Sequence, residues 1–300
     1  MVAAMVAVAG PWLRRPLAAE PFVRPGPGGW SLRDGDRVVF LGDTFFERDG
    51  ALGIVEAALV ASHPESRITV RNLGWSGDTV WAESRGVFDP PAKGYERMIA
   101  LLRTLEPTLV FLAYGRNESL RGPGGLQAFR DQYAKLCADL RATGERVRLV
   151  LVTPHPDETA DSAARNAALA PYAQAVRDVA REQAAGLVDL FAAWPTAASR
   201  SRTENGVHLS DAGYEEAARA FVTAAGRTLP ADFAAFAPEL RRRIGAKNTL
   251  FFHRWRPANE TYIFLFRKHE QGNNAVEMPQ FDPLVEQAED AVRALAKGGR

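Results

Sequence analysis

The sequence predicts an α/β fold: a three-layer α/β/α sandwich around five parallel strands, followed by a C-terminal helical and aromatic extension. Three observations predict it. Short apolar runs recur from Arg37 onward, at 37–41 (RVVFL), 67–72 (RITVRN), 108–113 (TLVFLA), 147–152 (VRLVLV) and 186–190 (GLVDL). They are apolar without strict alternation, the pattern of strands covered on both faces. Segments of helical period separate them, and strand, helix, strand order repeated in this way closes through right-handed crossovers.

The first strand runs into Gly42-Asp43-Thr44, where a helix begins. Thr44 with Glu47 forms a T-x-x-E pattern, which reads as a capping box. An alcohol at a strand-to-helix turn also reads as a nucleophile. Beyond the second strand lies NLGWSGDT, which includes Gly77; beyond the third lies YGRNES, with Gly115 and Asn117. A helix follows with Leu126, Phe129, Tyr133, Leu136 and Leu140 on one face, and the single cysteine, Cys137, falls on this stripe. It is expected to be buried as a small hydrophobe, with no internal disulfide and no redox role. Between the fourth and fifth strands, Leu169, Tyr172, Val176, Val179 and Ala180 mark another helix. After the fifth comes NGVHLSDAGY, holding Asn205 and His208, with Ser210 and Asp211 opening a helix from about 211 to 225.

Past residue 229 the pattern changes, so the chain divides into a leader at 1–29, a main domain at 30–229 and an extension at 230–300. The extension opens with a helix bearing Phe236, Leu240 and Ile244. An aromatic stretch follows, expected as a flap against the main domain, and then a helix near 283–297 with Leu284, Ala288, Val292 and Leu295 on its apolar side. Glu289 and Arg293 are spaced there for an i,i+4 ion pair. The leader has a short apolar run with Arg14 and Arg15 behind it rather than ahead of it. It reads as an export signal, to the periplasm or outside the cell, or else as a leader on a cytoplasmic protein. Elsewhere no apolar stretch approaches the roughly 20 residues of a membrane span. With 37 basic and 36 acidic residues the net charge is +1, which steers the chain neither to nucleic acid nor to anionic membranes.

Ligands of open α/β sheets bind beyond the carboxyl ends of the strands. Here those ends carry an alcohol, glycine N–H groups, a side-chain amide and a histidine, the parts needed for acyl transfer through an oxyanion. His63, His155, His253 and His269 lack metal-site spacing, so no metal is expected.

In these residues the chain resembles the SGNH, or GDSL-type, hydrolase family, over roughly residues 37–228. The four blocks look like Gly42-Asp43-Thr44, the Ser76-Gly77-Asp78-Thr79 turn, Gly115-Arg116-Asn117 and Asn205-Gly206-Val207-His208. The resemblance implies a flavodoxin-like sheet and acyl or acetyl ester substrates, often on carbohydrates or lipids, without metal or organic cofactor. It implies Thr44 as nucleophile, His208 as general base and Asn205 as its orienting partner, with Gly77, Asn117 and the Thr44 N–H holding the oxyanion. Asp43, Trp75, Arg116 and Glu118, with Trp81 nearby, flank the site as expected substrate contacts.

Two triad positions depart from the pattern, Thr44 standing for serine and Asn205 for aspartate. The threonine methyl stiffens χ1 and crowds attack. Asn205 is expected to accept a hydrogen bond from the imidazole through its carbonyl, with Glu204 as a substitute carboxylate. The expectation is a slow ester hydrolase, and the alternative is a non-catalytic module that binds an acyl or glycan ligand.

Overall fold

The computed structural model describes residues 29–194, 201–270 and 274–298; apart from Gly29, the expected leader at 1–29 lies outside them. Five strands form the sheet: β1 (Arg37–Gly42), β2 (Thr69–Gly74), β3 (Leu109–Ala113), β4 (Arg148–Val152) and β5 (Gly186–Val188). All pair in parallel in the order β2-β1-β3-β4-β5. This is the flavodoxin-like order, whose crevice lies at the β1/β3 switch point.

Alternate strand residues feed two cores. Val38, Phe40, Val70, Phe111 and Val150 face one side, while Val39, Leu41, Leu73, Leu112 and Leu151 face the other. The first side is covered by α1 (Thr44–Leu52), α2 (Ile54–Ala61) and α7 (Asp211–Ala224), the second by α3 (Pro91–Leu105), α4 (Leu126–Arg141) and α5 (Ser162–Glu182). A short α6 (Leu190–Ala193) follows β5. Cys137 is buried in the second core, and burial pushes its thiol up to about 12. Ser210 caps α7 by accepting from the Gly213 N–H.

The first three strands end level, because Gly42 pairs with both Gly74 and Ala113. Glycine is required at both ends. A Cβ on Gly42 would lie 2.6 Å from the Ala113 carbonyl, and one on Gly74 would lie 2.2 Å from the Glu47 nitrogen. Those close approaches seat the start of α1 on the tips of β1 and β2.

The extension joins the first core through Phe236, Leu240 and Ile244 of α8 (Phe233–Trp255) and through Val292 and Ala296 of α10 (Phe281–Gly298). A short α9 (Glu260–Ile263) lies between them. The two long helices close over β2, an edge strand whose outer backbone groups need partners. Glu289 of α10 accepts the Val70 N–H at 2.8 Å, and Lys247 of α8 donates to the Val70 carbonyl at 3.0 Å. Lys247 also pairs with Glu56, and Arg71 with Glu289, all four side chains being buried.

Two expectations for the extension are corrected. Arg293 pairs with Asp290, and Glu289 faces inward to Arg71 and Lys247. The buried stripe of α10 is Asp282, Val285, Glu289, Val292 and Ala296, leaving Leu284 47% exposed. Two of its positions are acidic, so a search for apolar periodicity lands one residue away. The aromatic stretch continues α8 to Trp255, with Phe251 buried, while Phe266 stays 64% exposed. Among the described residues, no helix is long and apolar enough to cross a membrane.

Candidate active site

A cavity of about 90 Å³ opens at the carboxyl edge of the sheet, and Asp43, Thr44, Asn117, His155 and His208 line it. Thr44 is the first residue of α1. The capping box expected from Thr44 and Glu47 does not form: Asp43 is the N-cap, its carboxylate accepting the Phe45 N–H at 3.0 Å. Glu47 instead accepts the Ser76 N–H at 2.7 Å and pairs with Arg256 at 2.7 Å. Relieved of capping, the Thr44 hydroxyl makes no hydrogen bond among the described residues. Burial, opposed by the Phe45 N–H, pushes the Asp43 carboxyl up to about 6.

Asn117 follows β3 and donates one amide hydrogen to the Asp78 carbonyl at 2.7 Å. An amide carries two, so the second remains for the cavity. Gly77, at φ +74°, sits exposed on the turn after β2 and is not among the cavity-lining residues. Its N–H is uncommitted among the described residues.

Glu118 is no substrate contact. It is fully buried, its two oxygens accepting the Val80 and Gly115 N–H groups at 2.8 Å each. It therefore ties the turn after β3 to the loop after β2, and burial pushes its carboxyl up to about 8. Trp75 is not part of the cavity wall either, and the Arg256 guanidinium covers its ring at 3.5 Å from the centroid. Trp81 lies under Arg121 at 4.2 Å. Arg116 does reach the cavity, with its guanidinium held by Asp157 and the His155 carbonyl.

His208 lines the cavity, and Asn205 holds it in an unexpected way. The Asn205 Oδ1 accepts the Val207 and His208 N–H groups at 3.1 and 2.8 Å. Its Nδ2 therefore faces the His208 Nδ1, at 3.0 Å. The two backbone donors fix this amide orientation, since the flipped form would set NH₂ against both N–H groups. An NH₂ only donates, so Nδ1 is the acceptor and the neutral ring carries its proton on Nε2. The expected carbonyl-to-imidazole bond is thus replaced by the opposite polarity. Glu204 does not substitute either, being paired with Arg48 at 2.8 Å.

His155 lacks metal-site spacing and lies outside the four strand-end blocks of the sequence. It lies buried in the cavity wall, where burial and then the Arg116 charge keep its ring well below the ordinary histidine range. Its signal was position: it stands three residues past the end of β4, at the ligand edge of the sheet. Arg48 and Tyr214 also line the cavity. Among the described residues, no group of three or more His, Cys, Asp or Glu side chains is placed to hold a metal ion.

Comparison with known proteins bears on the fold and the family. The model of the GDSL-like Lipase/Acylhydrolase family matches residues 35–216. An acetylxylan esterase from Geobacillus stearothermophilus is 23% identical with a TM-score of 0.53, the match covering 67% of this chain and 97% of that one. A catalytic mutant of the same enzyme gives 24% identity and a TM-score of 0.54, over 66% and 97% of the two chains. A gut microbial diltiazem-metabolizing enzyme is 18% identical with a TM-score of 0.52, over 67% of this chain and 49% of its own. At these identities the likeness is one of fold. No curated protein sequence matches the chain. With the family model spanning the sheet and all four strand-end blocks, this chain belongs to the GDSL-like lipase/acylhydrolase family.

Proposed function

We propose that the protein hydrolyses small acyl or acetyl esters, including esters of carbohydrate, through Thr44 and His208, and that Asn205 makes it slow. The observation that carries this reading is the convergence of an unbonded Thr44 hydroxyl, the His208 ring and the spare Asn117 amide hydrogen on one cavity. Thr44 Oγ1 attacks the acyl carbon while His208 Nε2 takes its proton. The oxyanion is received by the Asn117 amide and the Thr44 N–H at the start of α1, and the Gly77 N–H, outside the cavity wall in this structure, is the third donor that the family pattern implies. Collapse expels the alcohol with the proton from His208, and water then releases the acid by the same steps reversed. Each proton transfer needs the Nδ1–H tautomer, which the Asn205 amide disfavours.

The acetylxylan esterase of similar fold supports the substrate class. It has catalytic mutants at a serine, at an aspartate and at a histidine three residues beyond that aspartate. Asn205 and His208 have the same spacing. The test is turnover of short p-nitrophenyl esters and acetylated sugars by the wild type and by a Thr44→Ala/His208→Ala double variant. Equal rates would refute the proposal.

One observation favours a second reading, a module that binds an acyl or glycan ligand without cleaving it. In the present tautomer, His208 Nε2–H, the Asn117 amide and the Thr44 N–H are all donors, which suits a bound carboxylate or carbonyl. Saturable binding by calorimetry in the absence of turnover would establish it.

A further inference from the structure

We propose that Arg256, carried by the C-terminal extension, is a positioning residue for the oxyanion turn, holding the Gly77 N–H in place through Glu47 and Trp75. The inference rests on the ester-hydrolase reading. It assigns a role in catalysis to a residue outside the family-matched segment 35–216.

The turn from Trp75 to Gly77 is closed by the Asp78 N–H, which donates to the Trp75 carbonyl at 3.0 Å, and Asp78 itself is buried and paired with Arg85. Ser76 and Gly77 are exposed, and a Cβ built on Gly77 would meet only the Ser84 hydroxyl oxygen, at 3.4 Å. Its anchors are therefore polar. The Trp75 N–H donates to the Gly42 carbonyl at 3.0 Å, and the Ser76 N–H donates to Glu47 at 2.7 Å. Glu47 lies on α1 one turn beyond Thr44, so its carboxylate registers the turn against the nucleophile.

Arg256 holds that carboxylate from the other side. It caps the C-terminal end of α8 and donates through Nη1 to the second Glu47 oxygen at 2.7 Å. The same guanidinium stacks on Trp75 at 3.5 Å from the ring centroid, a cation–π distance. Trp255, its neighbour on α8, meets the Trp75 ring edge-on at 5.8 Å. Burial works against ionisation of Glu47, but the Ser76 and Arg256 hydrogen bonds hold its carboxyl below the ordinary range. It is thus an anion at neutral pH and accepts both bonds at once.

α8 is itself fastened to α1. Asn248 donates to the Gly50 carbonyl at 3.0 Å and Arg241 to the Leu52 carbonyl at 3.2 Å. Arg256 is consequently presented from a rigid base. Losing it frees one Glu47 oxygen and uncovers one face of Trp75, while the cavity wall itself keeps every residue.

The experiment combines kinetics with hydrogen exchange on the full chain, for the wild type, Arg256→Ala and Arg256→Lys. Exchange in the peptide spanning 74–79 is expected to accelerate in Arg256→Ala while peptides of β1 and β3 stay unchanged. Ester turnover is expected to fall by about tenfold or more in kcat, with KM nearly constant, as for loss of aim in an oxyanion donor. Arg256→Lys, which keeps the charge on Glu47, is expected to recover part of both. Unchanged exchange at 74–79, or faster exchange with unchanged kcat, would overturn the proposal. If the wild type itself shows no ester turnover, the ester-hydrolase reading fails, and the exchange comparison still decides whether Arg256 holds the turn.

Discussion

Replacing Asn205 by aspartate changes one atom of consequence. The Oδ1 position keeps its bonds from the Val207 and His208 N–H groups, and the Nδ2 position, 3.0 Å from His208 Nδ1, becomes an oxygen. That oxygen accepts from Nδ1–H, so Nε2 loses its proton and gains a lone pair facing the cavity. In the wild type, reaching this tautomer sets Nδ1–H against the amide NH₂ and loses one solvent-exposed hydrogen bond, about 0.5–1.5 kcal/mol. The imidazolium formed during attack then lacks a charge-assisted bond to a carboxylate, about 1.5–3 kcal/mol more. The two costs amount to about 2–4.5 kcal/mol, which is on the order of 10–10³ in turnover. The corresponding change in a serine protease costs about 10⁴. The assay is kcat for a p-nitrophenyl ester, wild type against Asn205→Asp, with the His208 tautomer read by nitrogen NMR. Unchanged turnover, or a wild-type spectrum showing the proton on Nδ1, would refute the reasoning.

Further outcomes follow from other parts of the structure. Thr44→Ser added to Asn205→Asp removes the methyl that crowds attack and is expected to raise kcat again, by about tenfold or more, in the same ester assay. Lys247→Met leaves Glu56 without its buried cation and Glu289 with Arg71 alone, and is expected to cost about 3–5 kcal/mol in urea denaturation. Glu118 titrates at an ordinary 4.5 when unfolded and at about 8 when folded, so its contribution to stability is fully present below pH 4.5 and is lost as pH rises through about 8. Glu118→Gln is expected to lower Tm throughout, because its NH₂ must face one of two backbone N–H groups, and to flatten the alkaline part of this slope; an unchanged slope would refute the assignment.

The sheet was legible because strands covered on both faces announce themselves as apolar runs, and the strand-end residues were legible because this topology sends them all to one edge. What escaped the sequence was competition between partners far apart in the chain. Thr44 and Glu47 have the spacing of a capping box, yet Glu47 is claimed by the Ser76 N–H and by Arg256, and Asp43 caps in its place. Glu289 and Arg293 have the spacing of an ion pair, yet an edge strand with an open N–H at Val70 and two buried cations draws Glu289 inward. Trp75 and Glu118 flank the site in sequence as expected, but one is covered by Arg256 and the other is consumed by two backbone donors. Asn205 lies beside His208, while the polarity of its contact depends on which backbone N–H groups reach Oδ1, and spacing carries no trace of that.

In the proposed mechanism both departures from the family pattern lie on the side of the site that moves protons, and the proposed oxyanion donors keep that pattern. This asymmetry separates binding from turnover in a measurable way. A carboxylate in the cavity meets donors from Asn117, the Thr44 N–H and, in the wild type, His208 Nε2–H. Asn205→Asp turns that last group of the neutral ring into an acceptor, so a bound carboxylate loses one charge-assisted hydrogen bond. Its affinity is expected to fall by roughly tenfold to a hundredfold, corresponding to about 1.5–3 kcal/mol, in the same variant whose turnover rises. Calorimetry with acetate on the two proteins measures this directly. Affinity and turnover that move in the same direction would show that His208 does not switch between donor and acceptor, and the tautomer account of the slow triad would fall with it.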